Sequence, residues 1–204
     1  MKLIIVRSNS SIAQKMSSLH IDAISCASFY REEVITGGKD SILVKWSFND
    51  KQELNNTQSL MAHSTNVSCV SASDSFGIVV SCSTDGTLVA SLASDFSFLM
   101  AIELKIDSNY AGFIPVKVLV TDMIGRIFVL CAGSSSCSPS NILYVYTING
   151  KYLNQIFFDK YISAWCQAAR SDGFDFVVIA DSSNAVFLID AFNVNIVRKI
   201  FQSP

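Results

Sequence analysis

The sequence predicts an all-β chain made of β-propeller blades, and three observations carry that prediction. Two segments open alike, His20-Ile-Asp-Ala-Ile-Ser-Cys26 and His63-Ser-Thr-Asn-Val-Ser-Cys69, with 43 residues between the histidines and 43 between the cysteines. Each then reaches an aspartate turn, Ile35-Thr-Gly-Gly-Lys-Asp40 and Val80-Ser-Cys-Ser-Thr-Asp85-Gly86, and these aspartates lie 45 apart. A period in the low forties with four short strands per period is the mark of propeller blades. Short alternating or continuous apolar runs between turn residues dominate the remainder, and helical periodicity is weak.

Taken in order, residues 2–19 read as two strands finishing a preceding blade, with Ser8-Asn9-Ser10 as their turn. The first full blade covers about 20–61, with strands at Ile24–Phe29, Val34–Thr36 and Ile42–Phe48 and a weaker one near 57–61. The second covers about 63–104, with strands at Val67–Ser73, Gly77–Ser83, Thr87–Leu92 and Phe98–Leu104. The third covers about 114–158 and uses Pro115–Thr121, Arg126–Ala132, Ile142–Ile148 and Tyr152–Phe158, with a Ser-rich loop at Gly133–Asn141. The fourth, 161–201, uses Tyr161–Ala168, Phe176–Ala180, Ala185–Asp190 and Ile196–Phe201. Asn149-Gly150 is expected to form a two-residue type I′ hairpin, and Asp85-Gly86 and Ser171-Asp-Gly173 read similarly.

Half of the 204 residues are apolar, 16% are charged, and the net charge is -2. That balance fits a buried, strand-rich protein and excludes a basic nucleic-acid footprint. The longest apolar runs, such as Ile127–Ala132, are strand-sized, and the apolar core of Met1–Arg7 is too short for a signal peptide. A cytoplasmic chain without direct membrane insertion is therefore expected. Cys26, Cys69, Cys82, Cys131 and Cys166 fall in predicted strands and Cys137 in a loop; with no C-x-x-C, reduced thiols buried in the core are expected.

His20, Thr36, Asp40 and Trp46 have the residue types and order of the structural tetrad of WD40 repeats, which this segment resembles. In such a tetrad the Asp accepts from the His ring, the His meets a strand hydroxyl, and the hydroxyl meets the Trp indole. Asp40→Ala is then expected to cost about 1–3 kcal/mol by leaving buried donors unpaired. The second blade keeps His63, Ser81 and Asp85 but has Ser91 where Trp is expected. The third and fourth lack the His and place Tyr146 and Ile189 at the Trp-like position, so blade packing there must be mainly apolar. These networks use the only two histidines. That leaves no Ser-His-Asp site and no set of zinc ligands to spare. No cofactor or metal is expected, and the chain is read as non-enzymatic. Asp172, Asp175 and Asp181 read as solvated turn residues, with a weak calcium site as the alternative. Tyr161 and Trp165 read as interblade core rather than as a surface anchor.

Val67-Ser-Cys-Val-Ser-Ala-Ser-Asp-Ser-Phe-Gly-Ile-Val-Val-Ser-Cys-Ser-Thr-Asp-Gly-Thr87, Leu143-Tyr-Val-Tyr-Thr-Ile-Asn-Gly-Lys-Tyr-Leu153 and Ile162-Ser-Ala164 resemble the C-terminal WD40 region of BEACH-domain proteins, the neurobeachin and beige family. The resemblance spans about 20–201. It implies a protein-interaction scaffold in vesicle or lysosomal membrane trafficking or autophagy. Its expected partners are other proteins, a BEACH domain or trafficking factors, and its location is cytoplasmic or peripheral on endosomal and lysosomal membranes. A stand-alone WD40 adaptor subunit of another cytosolic complex is the alternative, and a propeller hydrolase is the least favoured reading. Four blades and two strands fall short of a seven-bladed ring. Self-association through unpaired terminal blades is therefore expected, with strand addition at Ile196–Phe201.

Overall fold

The computed structural model describes residues 20–49, 53–104, 110, 112–133, 138–169 and 173–201. Among these residues sixteen strands form four separate antiparallel sheets of four, each in sequential order, an arrangement like that of a β-propeller. Sheet one holds β1 (Ile24–Tyr30), β2 (Glu33–Gly38), β3 (Ile42–Phe48) and β4 (Leu54–Met61). Sheet two holds β5 (Val67–Ser73), β6 (Ile78–Ser83), β7 (Thr87–Leu92) and β8 (Phe98–Glu103). Sheet three holds β9 (Ile114–Val120), β10 (Arg126–Ala132), β11 (Asn141–Thr147) and β12 (Tyr152–Phe158). Sheet four holds β13 (Ile162–Ala169), β14 (Asp175–Asp181), β15 (Ala185–Asp190) and β16 (Asn195–Phe201). The two strands and turn expected before residue 20 lie outside the described residues. Among the described residues no helix is long and apolar enough to cross a membrane.

The sheets stack face to face, and the two-residue alternation of strands decides which side chains meet. Ile35 and Leu43 of sheet one pack with Val67, Val70 and Val79 of sheet two. Val80, Leu88 and Ala90 leave sheet two on its other face and meet Val118, Ile127, Val129, Ile142 and Tyr144 of sheet three. Phe128, Leu130, Leu143 and Val145 leave sheet three and meet Val177, Ile179, Phe187 and Ile189 of sheet four. Both faces of sheets two and three are thus covered, which is why β6, β10 and β11 read as continuous apolar runs. Each buried Val, Leu or Ile contributes roughly 1.5–3 kcal/mol. A separate small core of Val34, Val44, Trp46 and Leu54 lies on the opposite face of sheet one.

The hairpins differ from the expected two-residue turns. Gly150 has φ 79° while Asn149 is not left-handed, and the Gly150 N–H bonds to Thr147 O at 2.9 Å. This is a type I turn closed by one left-handed residue, so only the second residue of Asn-Gly uses glycine's freedom. That turn joins the third and fourth strands of sheet three; in the other sheets a left-handed residue also closes the loop between the second and third strands. There Ser41, Gly86 and Asn184 hold the left-handed position, with φ of 68°, 83° and 61°. β16 carries Arg198 and Lys199 among its apolar residues, with the Lys199 ammonium 4.8 Å from the Phe187 ring centre.

Candidate functional site: two histidine networks and an aspartate-latched edge

The strongest polar cluster is in sheet one. His20 precedes β1, Thr36 is central in β2, Trp46 is on β3, and Asp40 sits in the loop joining those two strands. His20 Nδ1 is 3.0 Å from both Asp40 carboxylate oxygens, and its Nε2 is 2.9 Å from Thr36 Oγ1. The Trp46 indole N–H donates to the same hydroxyl at 2.8 Å. An indole can only donate and a carboxylate can only accept, so the chain has one direction. Trp46 gives to Thr36, Thr36 gives to His20 Nε2, and His20 Nδ1–H gives to Asp40. The structure therefore brings together all four residues singled out from the sequence, and their side chains are buried. Burial alone would raise the Asp40 carboxyl; the bonds from His20 and from the Ile42 and Ile21 N–H groups outweigh it and hold the group below its ordinary value.

Sheet two is built differently from the expected direct His63–Asp85 pair. His63 Nε2 does meet Ser81 Oγ at 2.8 Å, but Nδ1 meets Thr87 Oγ1 at 3.0 Å, and the Thr87 hydroxyl gives its proton to Asp85 at 2.7 Å. Thr87 stands two residues past the Asp, where sheet one has Ile42. Its hydroxyl takes the near side of the carboxylate and relays the bond. Burial would raise Asp85, yet the Thr87 hydroxyl and N–H and the Ser64 and Thr65 hydroxyls pull it down to about 2. His63 is pushed down by burial, against a smaller opposing pull from Asp85. Ser91 lies opposite Val79 as Trp46 lies opposite Val34, and its buried hydroxyl has no partner. Tyr146 opposite Ile127 and Ile189 opposite Val177 take the same place in sheets three and four.

The acidic residues of sheet four are not solvated turn residues. Asp175 is 0% exposed and accepts from Met123 N at 2.8 Å, Ile124 N at 3.2 Å and Gln167 Nε2 at 3.1 Å. Asp181 is buried and caps its own loop through the N–H groups of Ser183 and Ala185 and the Ser183 hydroxyl. Asp172 lies outside the described residues. Asp175 belongs to a series. Asp74 of sheet two accepts from Arg31 N of sheet one at 3.0 Å, and Asp122 of sheet three accepts from the Ser73 hydroxyl of sheet two at 2.6 Å. Each aspartate sits beside the turn between the first and second strands and binds the matching turn of the sheet before it. The only trace of this series in the sequence is an Asp in or next to that turn in three successive sheets.

A second tie runs the same way. Lys45 of sheet one is buried, donates to Ala93 O at 3.1 Å and to Ser94 O in sheet two, and faces Glu33 at 3.6 Å. Asn154 of sheet three donates to Val194 O in sheet four at 3.1 Å. Phe96 and Val194 are left-handed, an outlying conformation for bulky residues, and both are buried. The latched turns present apolar side chains outward: Phe76, Met123 and Phe174 are 37, 54 and 50% exposed. The Phe76 ring covers Gly125, where a Cβ would stand 2.9 Å from Cζ, and Met123 reaches toward Gly173.

Two further expectations hold in part, failing for Cys26 and Cys166 among the cysteines and for Tyr161 beside Trp165. Cys166 is exposed and Cys26 is half-buried, whereas Cys69, Cys82 and Cys131 are buried; Cys137 lies outside the described residues. Tyr161 is 43% exposed, with its hydroxyl on Gly133 O at 2.9 Å, while Trp165 is half-buried against the core between sheets three and four. No family model matches the chain.

Proposed function

We propose that this chain is a non-enzymatic protein-interaction scaffold of WD40 type, corresponding to the propeller part of a BEACH-type protein in vesicle or lysosomal trafficking or autophagy. The observation that carries the reading is the row Phe76, Met123 and Phe174, apolar side chains held outward on turns that aspartates lock together. Rigid, exposed anchors lose little freedom when a partner covers them. The WD40 assignment is supported by the His20–Thr36–Trp46–Asp40 network and by the 43-residue repeat. Both histidines are engaged in hydrogen bonds within their own sheets, which favours a scaffold over a hydrolase.

The test is affinity capture of the tagged chain from cells, beside a Phe76→Ser, Met123→Ser, Phe174→Ser variant checked for an unchanged β spectrum. The wild type is expected to retain a defined set of proteins that the variant loses. BEACH-domain or trafficking proteins in that set support the finer reading, and subunits of another cytosolic complex support the stand-alone adaptor. Identical capture by both forms, or no specific capture, overturns the scaffold reading at this edge.

A further inference from the structure

Two cysteines of sheet two face each other across a strand pair. Cys69 of β5 is the register partner of Cys82 of β6. Such partners in an antiparallel pair have Cα atoms about 4.5–5.5 Å apart, inside the span of roughly 4.4–6.8 Å that a disulfide bridges. Both side chains belong to the core between sheets two and three. Burial and a hydrogen bond with the Cys69 thiol push the Cys82 thiol up from its ordinary value. Sheet one repeats the frame without the second thiol. Ser25-Cys26 precedes Ser68-Cys69 by 43 positions. In both, the serine hydroxyl lies beside the cysteine sulfur, at 3.8 and 3.6 Å. It also donates to the carbonyl of the residue facing that cysteine, Gly37 at 3.0 Å and Cys82 at 3.2 Å. A Cβ on Gly37 would stand 2.7 Å from Cys26 Sγ and 2.6 Å from Val67, so sheet one has no room for a second thiol there. Cys131 faces Pro115 and Cys166 faces Val178. Among the described residues only sheet two sets thiol against thiol.

We propose that Cys69 and Cys82 are a reversible redox pair, closing to a cross-strand disulfide when a hydroperoxide reaches β5. Cys69 is 6% exposed and Cys82 0%, so Cys69 is the one attacked first. Its sulfur breaks the O–O bond of hydrogen peroxide and keeps one oxygen as a sulfenic acid, while the other oxygen leaves as water. The Cys82 sulfur then displaces that hydroxyl from Cys69, which departs with the Cys82 proton as a second water. Two thiols thus give up two electrons and two protons, and one peroxide is reduced to two waters. The Cα atoms already stand at bridging distance, so closure needs only side-chain rotation. Burial keeps the thiolate scarce, which makes the reaction slow and favours a small uncharged oxidant over a bulky alkylating agent. The bond would close a ring over residues 70–81, the hairpin that carries the Asp74 latch and Phe76. Oxidised protein should open that hairpin less readily than reduced protein.

Peptide mapping without reduction tests this, and the result does not depend on the scaffold reading. Native protein is exposed to hydrogen peroxide, its remaining thiols are capped in denaturant, and the digest is read by mass spectrometry. The expected product joins the Cys69 and Cys82 peptides, weighs two hydrogens less than their sum and disappears with dithiothreitol. Cys26 and Cys131 should be capped as thiols, and deuterium exchange at 70–81 should slow in the oxidised form. Cys69→Ala and Cys82→Ala, each checked for an unchanged β spectrum, should lose the link, and Cys131→Ala should keep it. Mapping of the unsubstituted protein decides the matter even where a variant fails to fold. Cys69 and Cys82 both capped as thiols after peroxide, a link from either to Cys26 or Cys131, a link formed only in denaturant, or exchange at 70–81 unchanged by oxidation would each overturn the proposal.

Discussion

Thr87 Oγ1 lies 3.0 Å from His63 Nδ1, in the place where His20 has the carboxylate of Asp40. One hydroxyl lengthens the network by a link and changes which substitution breaks it. The His63 ring donates to Thr87, and the Thr87 hydroxyl donates on to Asp85.

Thr87→Val should therefore act on a histidine it does not replace. It keeps the shape and leaves the buried His63 N–H without an acceptor, at a cost of about 1–3 kcal/mol. Thr87→Ser restores the hydroxyl and should recover most of the loss. Denaturant melts of the three proteins decide it; equal stability of the Val and Ser variants would contradict the relay.

The pH dependence follows from His63. Its folded value lies below the ordinary 6.5 because burial penalises the charged ring, so folding favours the neutral form. Its contribution is complete above 6.5 and is lost as pH falls through that value toward the folded one. Stability should decline on acidification in this window, and His63→Gln should flatten the decline. A slope that survives the substitution would assign the effect to another group.

The latches should be graded. Asp175→Ala leaves the Met123 and Ile124 N–H groups unpaired beside a fully buried site and should cost about 1–3 kcal/mol. Asp74 is exposed and holds a single N–H, so Asp74→Ala should fall within about 0.5 kcal/mol of wild type. Thermal melts that rank the two variants the other way would show that the buried latch is not the stronger one.

Thiol reactivity separates the described cysteines. Burial pushes Cys26 up to about 11 and raises Cys82 and Cys131, and little thiolate is present at neutral pH. Cys166 is exposed on sheet four. Timed alkylation of dilute native protein, read by mass spectrometry, should modify Cys166 before Cys26, Cys69, Cys82 or Cys131. Early modification of Cys82 would mean that the sheet two–sheet three interface opens readily.

Much of this fold was legible because strand alternation and turn residues are local signals. Ile42–Phe48, Val67–Ser73, Thr87–Leu92, Arg126–Ala132, Tyr152–Phe158 and Ala185–Asp190 agree with the expected bounds. The faint fourth strand of sheet one begins earlier, at Leu54, because its outer residues are polar and its pairing with β3 holds it. The order His20, Thr36, Asp40, Trp46 could be read because one repeat contains the whole network. Thr87 could not, since a threonine opening a strand looks like ordinary β propensity. The aspartate ties were hidden for another reason. Asp175 and its partners at 123–124 lie about fifty positions apart and belong to different sheets, so no local pattern distinguishes a buried carboxylate from one in solvent.

Those ties all lie along one border of the stack, where Asp74, Asp122 and Asp175 join each turn to its predecessor. The border acts as a spine. The opposite border, beside the loops of Asp40 and Asp85, is joined by other means: the Ser25 hydroxyl donates to Val67 O, the Ile162 N–H to Asn141 Oδ1 and the Tyr161 hydroxyl to Gly133 O. A protein gripping Phe76, Met123 and Phe174 would thus engage three sheets at once through a single row of linked turns.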